Sequence, residues 1–310
     1  MENVLSGGHS AAARPASPRR HGTLVERGFH LLFLLCGMVT VGFVLLISVY
    51  LILSGLPAIR EIGLGKFLLG RVWDPTNTTS GASYGILAFI LTSVYGTAGA
   101  VVLGVPVGVM TAVFLAKVAP PRLAAVIRTA VQLLAGIPSV VYGLVGMIVL
   151  VPAIRDVFSL SSGACLLAAM AVLAVMILPS IINVSETALR AVPREYEEAS
   201  LALGATETET YLRVSLPAAR SGVAAAVVLG VGRAIGEAMA IIMVAGNVSN
   251  MPGLFTPVRF LTTGIVSGMA YAPVGSLYQQ ALYSIGLVLF LFIMLINVFL
   301  NVFIKRKGNS

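Results

Sequence analysis

The sequence is short of the residues that soluble domains, disulfide frameworks and metal sites require. Only 10% of its 310 residues are charged and 58% are hydrophobic, whereas a soluble domain carries about 25% charged residues. Its two cysteines, Cys36 and Cys165, lie far apart in apolar stretches, and its three histidines all lie near the start. These shortages leave no cysteine or histidine cluster for a metal and no Ser/His/Asp or Cys/His set for an enzyme. We therefore expect a membrane protein that is not an enzyme.

The positive charge of the chain surrounds apolar stretches and does not indicate nucleic-acid binding. The formal net charge is +8, and the lysines and arginines concentrate in the segments that connect the apolar runs, which favours a membrane surface. Residues 1–28 are rich in Ala, Pro, Ser and Gly and carry four arginines, a composition typical of a disordered tail. The predicted organisation is a disordered cytoplasmic tail over 1–28, a membrane domain over 29–305 and a short cytoplasmic tail over 306–310.

Six apolar runs are long enough to cross the roughly 30 Å hydrocarbon core of a bilayer, which takes about 20 helical residues. Lipid cannot satisfy backbone polar groups, so the runs are predicted to be helices. A β-barrel is disfavoured because its strands would alternate in polarity. The expected fold class is all-α, a polytopic membrane protein with six transmembrane helices. The runs are His30–Leu56, Tyr84–Ala116, Thr129–Val151, Leu160–Val184, Ser221–Ala245 and Leu282–Ile304.

The orientation of these helices follows from the lysines and arginines in the connecting segments, which concentrate on the cytoplasmic side of membrane proteins. With the N-terminus inside, the inner segments hold fourteen such residues and the outer segments hold five. This asymmetry predicts that both termini lie in the cytoplasm. We expect a multi-pass protein of the cell membrane, which is the inner or plasma membrane.

The connecting segments differ in length and character. The outer loops 57–83 and 246–281 are long enough to fold, whereas 152–159 is expected to be a tight turn. The apolar piece Phe260–Ala272 lies within the second of these loops and is too short to span a bilayer. It is predicted to be an interfacial or re-entrant segment.

Three prolines fall inside the predicted membrane helices. Pro106, Pro138 and Pro179 are expected to interrupt the second, third and fourth helices, each beside Gly or Ser. Broken helices often line a path through the membrane, but Pro and Gly are also common in ordinary membrane helices. Both interpretations stay open.

The cytoplasmic loop 185–217 contains a predicted pair of short helices. Pro193 suits the first position of a helix, and glutamates fill its first turns, where the helix dipole favours negative charge. Gly204 follows as a left-handed stop. Thr206 and Glu209 then form a capping box that opens a second helix. The residues therefore predict a helix–Gly–helix element at the inner face of the membrane.

The spacing in this loop resembles a known motif. Glu198-Ala199-Ser200, then Gly204, and finally Val214, Leu216 and Pro217 are similar to the EAA loop of ABC importer permeases, whose pattern is Glu-Ala-Ala, a Gly, then Ile-x-Leu-Pro. Ser200 replaces Ala and Val214 replaces Ile, and the spacing matches throughout. The resemblance implies the type I ABC importer permease fold, in which this loop docks into a separate ATPase subunit.

The same resemblance assigns the docking residues. Glu198, Ala199 and Gly204 would form the docking surface, and Ser200, Leu216 and Pro217 complete the motif. The chain has no G-x-x-x-x-G-K-[ST] phosphate-binding loop, since its nearest fragment, GLGKF at 63–67, lacks the leading Gly and the Ser or Thr. No cofactor is expected on this chain. ATP and magnesium would bind, and ATP would be hydrolysed, on a partner ATPase.

Arg233 and Glu237 are the charged residues inside the fifth apolar run. If that run is one helix, Arg233 lies near mid-bilayer and Glu237 lies one turn nearer the outside on the same face. Ala226, Gly230, Gly236 and Ala240 would share that face and let another helix or subunit approach closely. An intramembrane charge costs at least about 2.5–3.5 kcal/mol and usually marks a functional site. The pair is either a structural ion pair or a stepping point at which Arg233 binds an anion and Glu237 is its resting counter-charge.

Two stretches of the sequence indicate which substrate such a permease would carry. GIPSVVYGLVG at 136–146 and GRAIGEAMAIIMVAGN at 232–247 resemble the phosphate-specific ABC importer permeases, and the second stretch resembles their PstC-type subunit. The resemblance covers nearly the whole chain after the tail. It implies a heterodimeric channel with a PstA-type permease subunit, an ATPase dimer and an extracytoplasmic phosphate-binding protein. It also places Arg233 and Glu237 at the family's intramembrane charged pair, in a permease that moves inorganic phosphate into the cytoplasm by alternating access.

Three alternatives stay open at this point. The chain could be an ABC permease for another oxyanion, such as sulfate or molybdate, because the EAA loop does not separate these substrates. A proton-coupled secondary transporter would use Glu237 as its proton carrier, although no duplicated half carries a second charged pair. A membrane scaffold would need the pair only for packing, and that alternative leaves the EAA spacing unexplained.

Overall fold

The computed structural model describes residues 22–77, 79 and 81–308 and is helical over most of them. The chain divides into two compact units, 1–50 and 51–310. The described part of the first unit is one uninterrupted stretch of helix. This helix begins at Gly22, inside the segment predicted as a disordered tail, and residues 1–21 lie outside the described range. At the other end, helix continues to Gly308, into the predicted tail over 306–310.

Sixteen regular elements follow one another along the described chain, and three π-helical turns join some of them. The first part holds α1 (Gly22–Ile62), α2 (Leu64–Leu69), β1 (Trp73–Asp74), β2 (Ser83–Tyr84), α3 (Leu87–Val113), α4 (Pro121–Gly136), α5 (Ser139–Val145) and α6 (Val151–Val157). The second part holds α7 (Leu166–Arg190), α8 (Arg194–Ala202), α9 (Glu207–Thr210), α10 (Leu216–Ala218), α11 (Arg220–Gly236), α12 (Met239–Val244), α13 (Leu261–Met269) and α14 (Leu277–Gly308). The π-helical turns are Phe114–Val118, Gly146–Leu150 and Tyr211–Ser215.

The structure agrees with an all-α polytopic membrane protein. Five helical stretches are long and apolar enough to cross a bilayer, and a sixth span counts if Glu207–Ala218 and Arg220–Gly236, bent by 71°, are taken together. The two strands form one short antiparallel hairpin that pairs Trp73 with Tyr84. The sequence had indicated a folded loop over 57–83 without indicating this hairpin.

Two expectations about the third run and the prolines are wrong. The predicted span Thr129–Val151 is split, because its first part belongs to α4 and a new helix begins after Pro138. Pro138 does interrupt the helix here, since a proline disfavours helical conformation at the residue before it. Pro106 and Pro179 instead lie inside the continuous helices α3 and α7. The segment 152–159 is also mostly helical, as part of α6, and is not a tight turn.

The main core forms where α3 and α11 pack against α7. A Cβ on Gly108 would lie 2.7 Å from Cγ2 of Ile181, and one on Gly230 would lie 3.2 Å from Cδ1 of the same isoleucine. Small residues therefore let both helices approach one fully buried side chain of α7. Such close contact provides the van der Waals attraction that holds helices together in lipid, where the hydrophobic effect between helices is absent.

The two ends of this core carry different structures. At one end, which we call the hairpin end, β1, β2 and α13 pack with the start of α3 and with α14 around Trp73 and Phe89. The chain crosses itself closely there, because a Cβ on Gly85 would lie 2.3 Å from the carbonyl carbon of Gly70. At the other end, which we call the α8–α10 end, the π-helical turn after α3 meets α8 through Lys117 and Glu197. Since α3 has 27 residues, the two ends lie about 40 Å apart at 1.5 Å per residue.

Candidate functional site

The helix that carries Arg233 ends before Glu237. α11 stops at Gly236, Glu237 is extended with φ −75° and ψ 132°, and a new helix starts at Met239. The prediction of one continuous helix over Ser221–Ala245, with Arg233 and Glu237 one turn apart on the same face, is therefore wrong. Gly236, the last residue of α11, favours an end here, since glycine weakens a helix by about 1 kcal/mol relative to alanine.

Both polar groups of Glu237 stabilise the break. Its carboxylate Oε1 accepts the backbone N–H of Ala240 at 3.0 Å, in the first turn of α12. Its backbone carbonyl accepts the hydroxyl of Thr262 at 2.7 Å, from the start of α13. A backbone carbonyl that loses its helical partner inside a membrane needs a replacement, and Thr262 supplies it. Glu237 is therefore held by hydrogen bonds to α12 and α13.

The helix ends at the break also compensate the charges of Arg233 and Glu237, although the two side chains form no ion pair with each other. Arg233 lies in the last turn of α11, where the helix dipole favours a cation, and Glu237 lies just before α12, where it favours an anion. Each such interaction contributes about 0.3–1 kcal/mol, and up to about 2 kcal/mol when partly buried. None of the ion pairs within residues 22–77, 79 and 81–308 includes Arg233 or Glu237. The guanidinium of Arg233 is thus half-buried without a carboxylate in ion-pair contact.

The two stretches that indicated the substrate meet at this break. A Cβ on Gly143 would lie 2.8 Å from Cα of Ala240, so α5 and α12 touch backbone to backbone. The hydroxyl of Tyr142, next to Gly143, donates to the carbonyl of Leu134 at 2.6 Å. Segments 136–146 and 232–247, separate in sequence, therefore pack against each other where α5 meets α12.

The predicted small-residue face divides between three surroundings. Ala226 and Gly230 are buried, Gly230 against Ile181 of α7, and Ala240 is buried against α5. Gly236 is exposed, with nothing within 4 Å of an added Cβ. The stripe is split because the helix break turns the chain after Gly236. Its members pack largely within this chain.

The helix–Gly–helix element has the predicted local structure. α8 begins directly after Pro193, and Gly204 has φ +88°, the left-handed conformation expected of a helix stop. The hydroxyl of Thr206 accepts the N–H of Glu209 at 3.3 Å, and the carboxylate of Glu209 accepts the N–H of Thr206 at 3.2 Å. This is the predicted capping box. Sequence rules for caps and stops depend on neighbouring residues alone, so they hold here.

The six residues predicted to dock an ATPase divide into an exposed and an inward set. Glu198, Ala199, Gly204 and Pro217 are exposed. Ser200 is half-buried and its hydroxyl lies 2.9 Å from that of Thr210, which ties α8 to α9. Leu216 packs against the core. Their role in docking stays a prediction. Leu203 was not predicted to be part of this surface, although its side chain is 90% exposed beside Gly204.

An ion network around the buried Glu186 lies at the α8–α10 end and was not predicted from the sequence. Glu186 of α7 accepts Nε of Arg128 at 2.7 Å and Nε of Arg190 at 2.9 Å. Both arginines also donate to the carbonyl of Leu115, at 3.3 and 3.1 Å. That carbonyl lies in the π-helical turn Phe114–Val118. The i→i+5 hydrogen bonds of such a turn change the direction of its backbone carbonyls relative to an α-helix. The only sequence signal was a lone Glu at the end of an apolar run, with Arg190 four residues later.

A second contact fastens α8 to the same π-helical turn. Nζ of Lys117 lies 2.5 Å from Oε1 of Glu197, and that oxygen also accepts the hydroxyl of Ser215 at 2.7 Å. Burial acts to raise the pKa of Glu197. The hydrogen bonds from Lys117 and Ser215, with the charges of Lys117 and Arg194, outweigh it and hold that pKa below its usual value. Glu197 therefore remains ionised and links α8 to α3.

Comparison with known proteins identifies the family. Residues 104–308 match the family described as binding-protein-dependent transport system inner membrane component. The chain belongs to this family. It is 38% identical over 295 residues to the probable ABC transporter permease protein YqgH of Bacillus subtilis, covering 93% of this chain and 95% of that protein. It is 33% identical over 287 residues to the phosphate transport system permease protein PstC of Haemophilus influenzae, covering 85% and 88%.

Solved structures share the fold. The MetNI methionine ABC transporter matches with a TM-score of 0.56 and 21% identity, covering 71% of this chain and 95% of that chain. A bacterial alginate ABC transporter, solved in complex with an alginate-bound periplasmic protein, matches with a TM-score of 0.62 and 15% identity, covering 94% and 99%. The fold is that of ABC type I importer permeases. The chain is a multi-pass membrane transport subunit.

Proposed function

We propose that the chain is the PstC-type permease subunit of an ATP-driven importer that moves inorganic phosphate into the cytoplasm by alternating access. Support for the substrate comes from relatives named as phosphate permeases, of which that of Haemophilus influenzae matches 85% of the chain. Support for an anion step comes from Arg233, which is the observation that carries the proposal. It is half-buried at a helix break with no carboxylate in ion-pair contact among the described residues.

Arg233 suits a transit site because its charge is compensated but its donors are available. The C-terminal end of α11 favours the positive charge without occupying the guanidinium as a carboxylate would. A guanidinium presents a planar fork that binds an oxyanion through two parallel hydrogen bonds. Glu237, held by Ala240 and Thr262, places a negative charge nearby, which limits how tightly an anion binds and so favours its release. Arg233 and Glu237 thus form the proposed substrate pathway.

In this proposal, the other components of the transporter are separate chains. A PstA-type permease subunit completes the channel, and an ATPase dimer binds ATP and magnesium. An extracytoplasmic phosphate-binding protein delivers the anion. The hairpin end faces outward, and the α8–α10 end and both termini face the cytoplasm of the cell, with the protein in its inner or plasma membrane. The excess of lysines and arginines at the α8–α10 end supports this orientation.

The exposed residues of α8 suit the proposed ATPase contact. Glu198, Ala199 and Gly204 lie on the free surface, with Leu203 beside them. Lys117, in the π-helical turn after α3, contacts the same helix, and Ser215 connects it to the helical stretch Glu207–Ala218 that leads into α11. A displacement of α8 by the ATPase therefore has two direct contacts through which to move α3 and α11. Since Arg233 lies on α11, the site and the ATPase surface belong to one connected element.

Transport in proteoliposomes tests the proposal. The complete complex, with its binding protein, is supplied with internal ATP and with either phosphate or sulfate, and in parallel with a proton gradient in place of ATP. We expect phosphate-selective uptake that depends on ATP. Uptake that prefers sulfate would assign another oxyanion, and uptake that follows the proton gradient without ATP would contradict the ABC mechanism. A matched sample without the binding protein controls for leakage.

A further inference from the structure

A cleft of about 850 Å³ opens at the hairpin end of the molecule. We call it the hairpin cleft. Its walls come from the hairpin loop and from the segment that joins α12 to α14, and they carry hydroxyl groups next to one arginine. The residues used below are Thr76, Tyr84, Ser249, Arg259 and Tyr278. The cleft is separate from the break at Glu237, and nothing in the proposed function uses it.

Arg259 is built into the wall of this cleft. Its Nε donates to the backbone carbonyl of Asn247 at 3.1 Å and to the side-chain Oδ1 of Asn247 at 2.9 Å, and its Nη2 donates to the same carbonyl at 2.7 Å. Asn247 offers both oxygens to one guanidinium because its φ is +51°, a left-handed conformation that asparagine tolerates better than most residues. The ring of Phe89 lies 5.8 Å from the guanidinium carbon. Two elements therefore fix the position of Arg259.

The guanidinium still has donors to offer. Arginine carries five N–H donors, and the bonds to Asn247 use the Nε–Nη2 edge. No ion pair formed within the described ranges includes Arg259. Asp74 also lines the cleft, but it accepts the hydroxyl of Thr76 at 3.3 Å and makes no ion pair with Arg259. The other edge of the half-buried guanidinium is therefore without a carboxylate partner among the described residues.

The hairpin cleft is physically connected to the break. Thr262, three residues after Arg259, donates its hydroxyl to the carbonyl of Glu237. Between them, the N–H of Leu261 donates to Oγ of Ser93 at 3.0 Å, which fixes this segment to α3. The backbone that holds Arg259 is therefore the same backbone that stabilises the end of α11, where Arg233 lies.

We propose that the hairpin cleft is a second oxyanion site, in which Arg259 binds inorganic phosphate before it reaches Arg233. The choice of phosphate rests on the proposed function. The free edge of the guanidinium suits two oxygens of a tetrahedral oxyanion, and the hydroxyls of Tyr84, Ser249 and Tyr278 line the same space, where they can donate to its other oxygens. A carboxylate of a docking protein has only two oxygens and would leave most of these hydroxyls unused.

The chain carries its own probe of this site. Trp73 is the one tryptophan of the sequence, and it lines the hairpin cleft. Its ring lies 5.5 Å from that of Phe89, the ring beneath Arg259. Tryptophan fluorescence of the purified full chain in detergent, titrated with inorganic phosphate, therefore reports on this cleft alone. Sodium chloride at equal ionic strength controls for salt effects, and 31P NMR line broadening of the same samples measures binding independently of Trp73.

We expect a saturable change in fluorescence and 31P line broadening in the wild type, with an apparent affinity that falls about 10-fold or more in Arg259→Gln, since hydrogen bonds to charged groups contribute about 1.5–3 kcal/mol. Arg71→Gln, an exposed arginine outside the cleft, should leave the titration unchanged. Arg233→Gln should also leave the fluorescence change in place. Far-UV circular dichroism and gel filtration of Arg259→Gln check that it folds, and Arg259→Lys, which keeps the charge but loses the fork, should bind with intermediate affinity.

Three results would overturn the second site. These are no saturable response by either method, an equal response to chloride, and an equal phosphate response in Arg259→Gln. If Arg259→Gln left the titration unchanged and weakened only the stimulation of uptake by the binding protein, the cleft would be a docking contact. The wild-type uptake assay separates the two proposals. ATP-driven phosphate uptake with no binding in the cleft removes this site and keeps the proposed function, whereas cleft binding without ATP-driven uptake removes the proposed function.

Discussion

Glutamates at the α8–α10 end form direct ion pairs, whereas the two charged residues at the helix break do not. Glu186 contacts Arg128 and Arg190, and Glu197 contacts Lys117, so these two acids are in direct ion pairs. At the break, Arg233 and Glu237 are four residues apart in sequence but make no ion pair, and Glu237 bonds to Ala240 instead. Helix termini compensate these two charges.

The contrast separates two uses of a charge in a membrane protein. A direct pair holds elements together, because removing one partner leaves the other uncompensated. A charge compensated by a helix end keeps its donors free for a mobile ligand. The ion pairs at the α8–α10 end therefore hold α3, α4, α7 and α8 together. The break is the transit site of the proposed function.

Removing the charge of Arg233 is the strongest test of the difference between the two sets of charges. We expect Arg233→Gln to lower ATP-driven phosphate uptake about 10- to 100-fold, which corresponds to the loss of about 1.5–3 kcal/mol from charge-assisted hydrogen bonds to the anion. Uptake into proteoliposomes at equal protein abundance measures this. Arg220→Gln, at the exposed start of the same helix, is the matched control and should retain uptake. Wild-type uptake in Arg233→Gln would make the charge structural.

Removing Glu186 tests the ion pairs at the α8–α10 end. Glu186→Gln should lower the free energy of unfolding by about 1–3 kcal/mol, below the 3–5 kcal/mol of a fully buried pair because the side chain of Arg190 is 49% exposed. Unfolding in detergent micelles measures the loss. Asp156→Asn removes an exposed ion pair with Arg155 and should change stability by less than about 1 kcal/mol. Equal losses in the two variants would contradict a structural role for the network.

Gly204 tests the geometry of the helix–Gly–helix element. Nothing lies within 4 Å of a Cβ at this position, so Gly204→Ala adds only the cost of a left-handed backbone, about 1–2 kcal/mol. Amide hydrogen exchange in α8 and α9 should quicken about 5-fold or more. Gly65→Ala, which also adds a Cβ to open space but without a positive φ, should leave exchange in α8 and α9 unaltered. An unchanged exchange rate in Gly204→Ala would show that the element does not depend on this stop.

The smallest expected effect concerns Glu197. Its pKa lies below the usual 4.5 because Lys117 and Ser215 outweigh burial, so the link stabilises the protein fully above pH 4.5 and is lost as pH falls through the lowered pKa. Lys117→Met removes a positive charge and a hydrogen bond that lower the pKa of Glu197, so that pKa should rise. A carbon-13 NMR titration of labelled glutamates measures it. Arg213→Met, whose ion pair is with Glu209, should leave Glu197 unchanged, and a pKa that stays low in Lys117→Met would contradict the assigned cause.

The parts of the fold that the sequence predicted are those fixed by neighbouring residues or by composition. The stop at Gly204, the Thr206–Glu209 capping box and most of the apolar runs depend on a few adjacent positions, and the structure has them. The runs Thr129–Val151 and Ser221–Ala245 are the exceptions, because each is split between helices. The break at Glu237 was missed because it is stabilised by Thr262, which lies 25 residues away. A hydrophobicity pattern is blind to such a contact.

The candidate site was predictable in its residues and not in its geometry. Arg233 and Glu237 were found because charges are rare in apolar runs, but their separation by a helix end depends on α13. The Glu186 network was missed because Arg128 and Leu115 come from other elements, 58 and 71 residues away in sequence. Lys117 and Arg259 were counted only as charges of the connecting segments, although both are partly buried in specific contacts.

A double-mutant cycle on the break tests the central claim most directly. Unfolding free energies in micelles are measured for the wild type, Arg233→Gln, Glu237→Gln and the double variant, since glutamine keeps an oxygen that can accept the N–H of Ala240. We predict additive changes within about 0.5 kcal/mol, as for residues that are not in contact. A coupling energy of about 1–3 kcal/mol, with the double variant more stable than the sum of the single changes predicts, would show that Arg233 and Glu237 are a neutralising ion pair and would contradict the account.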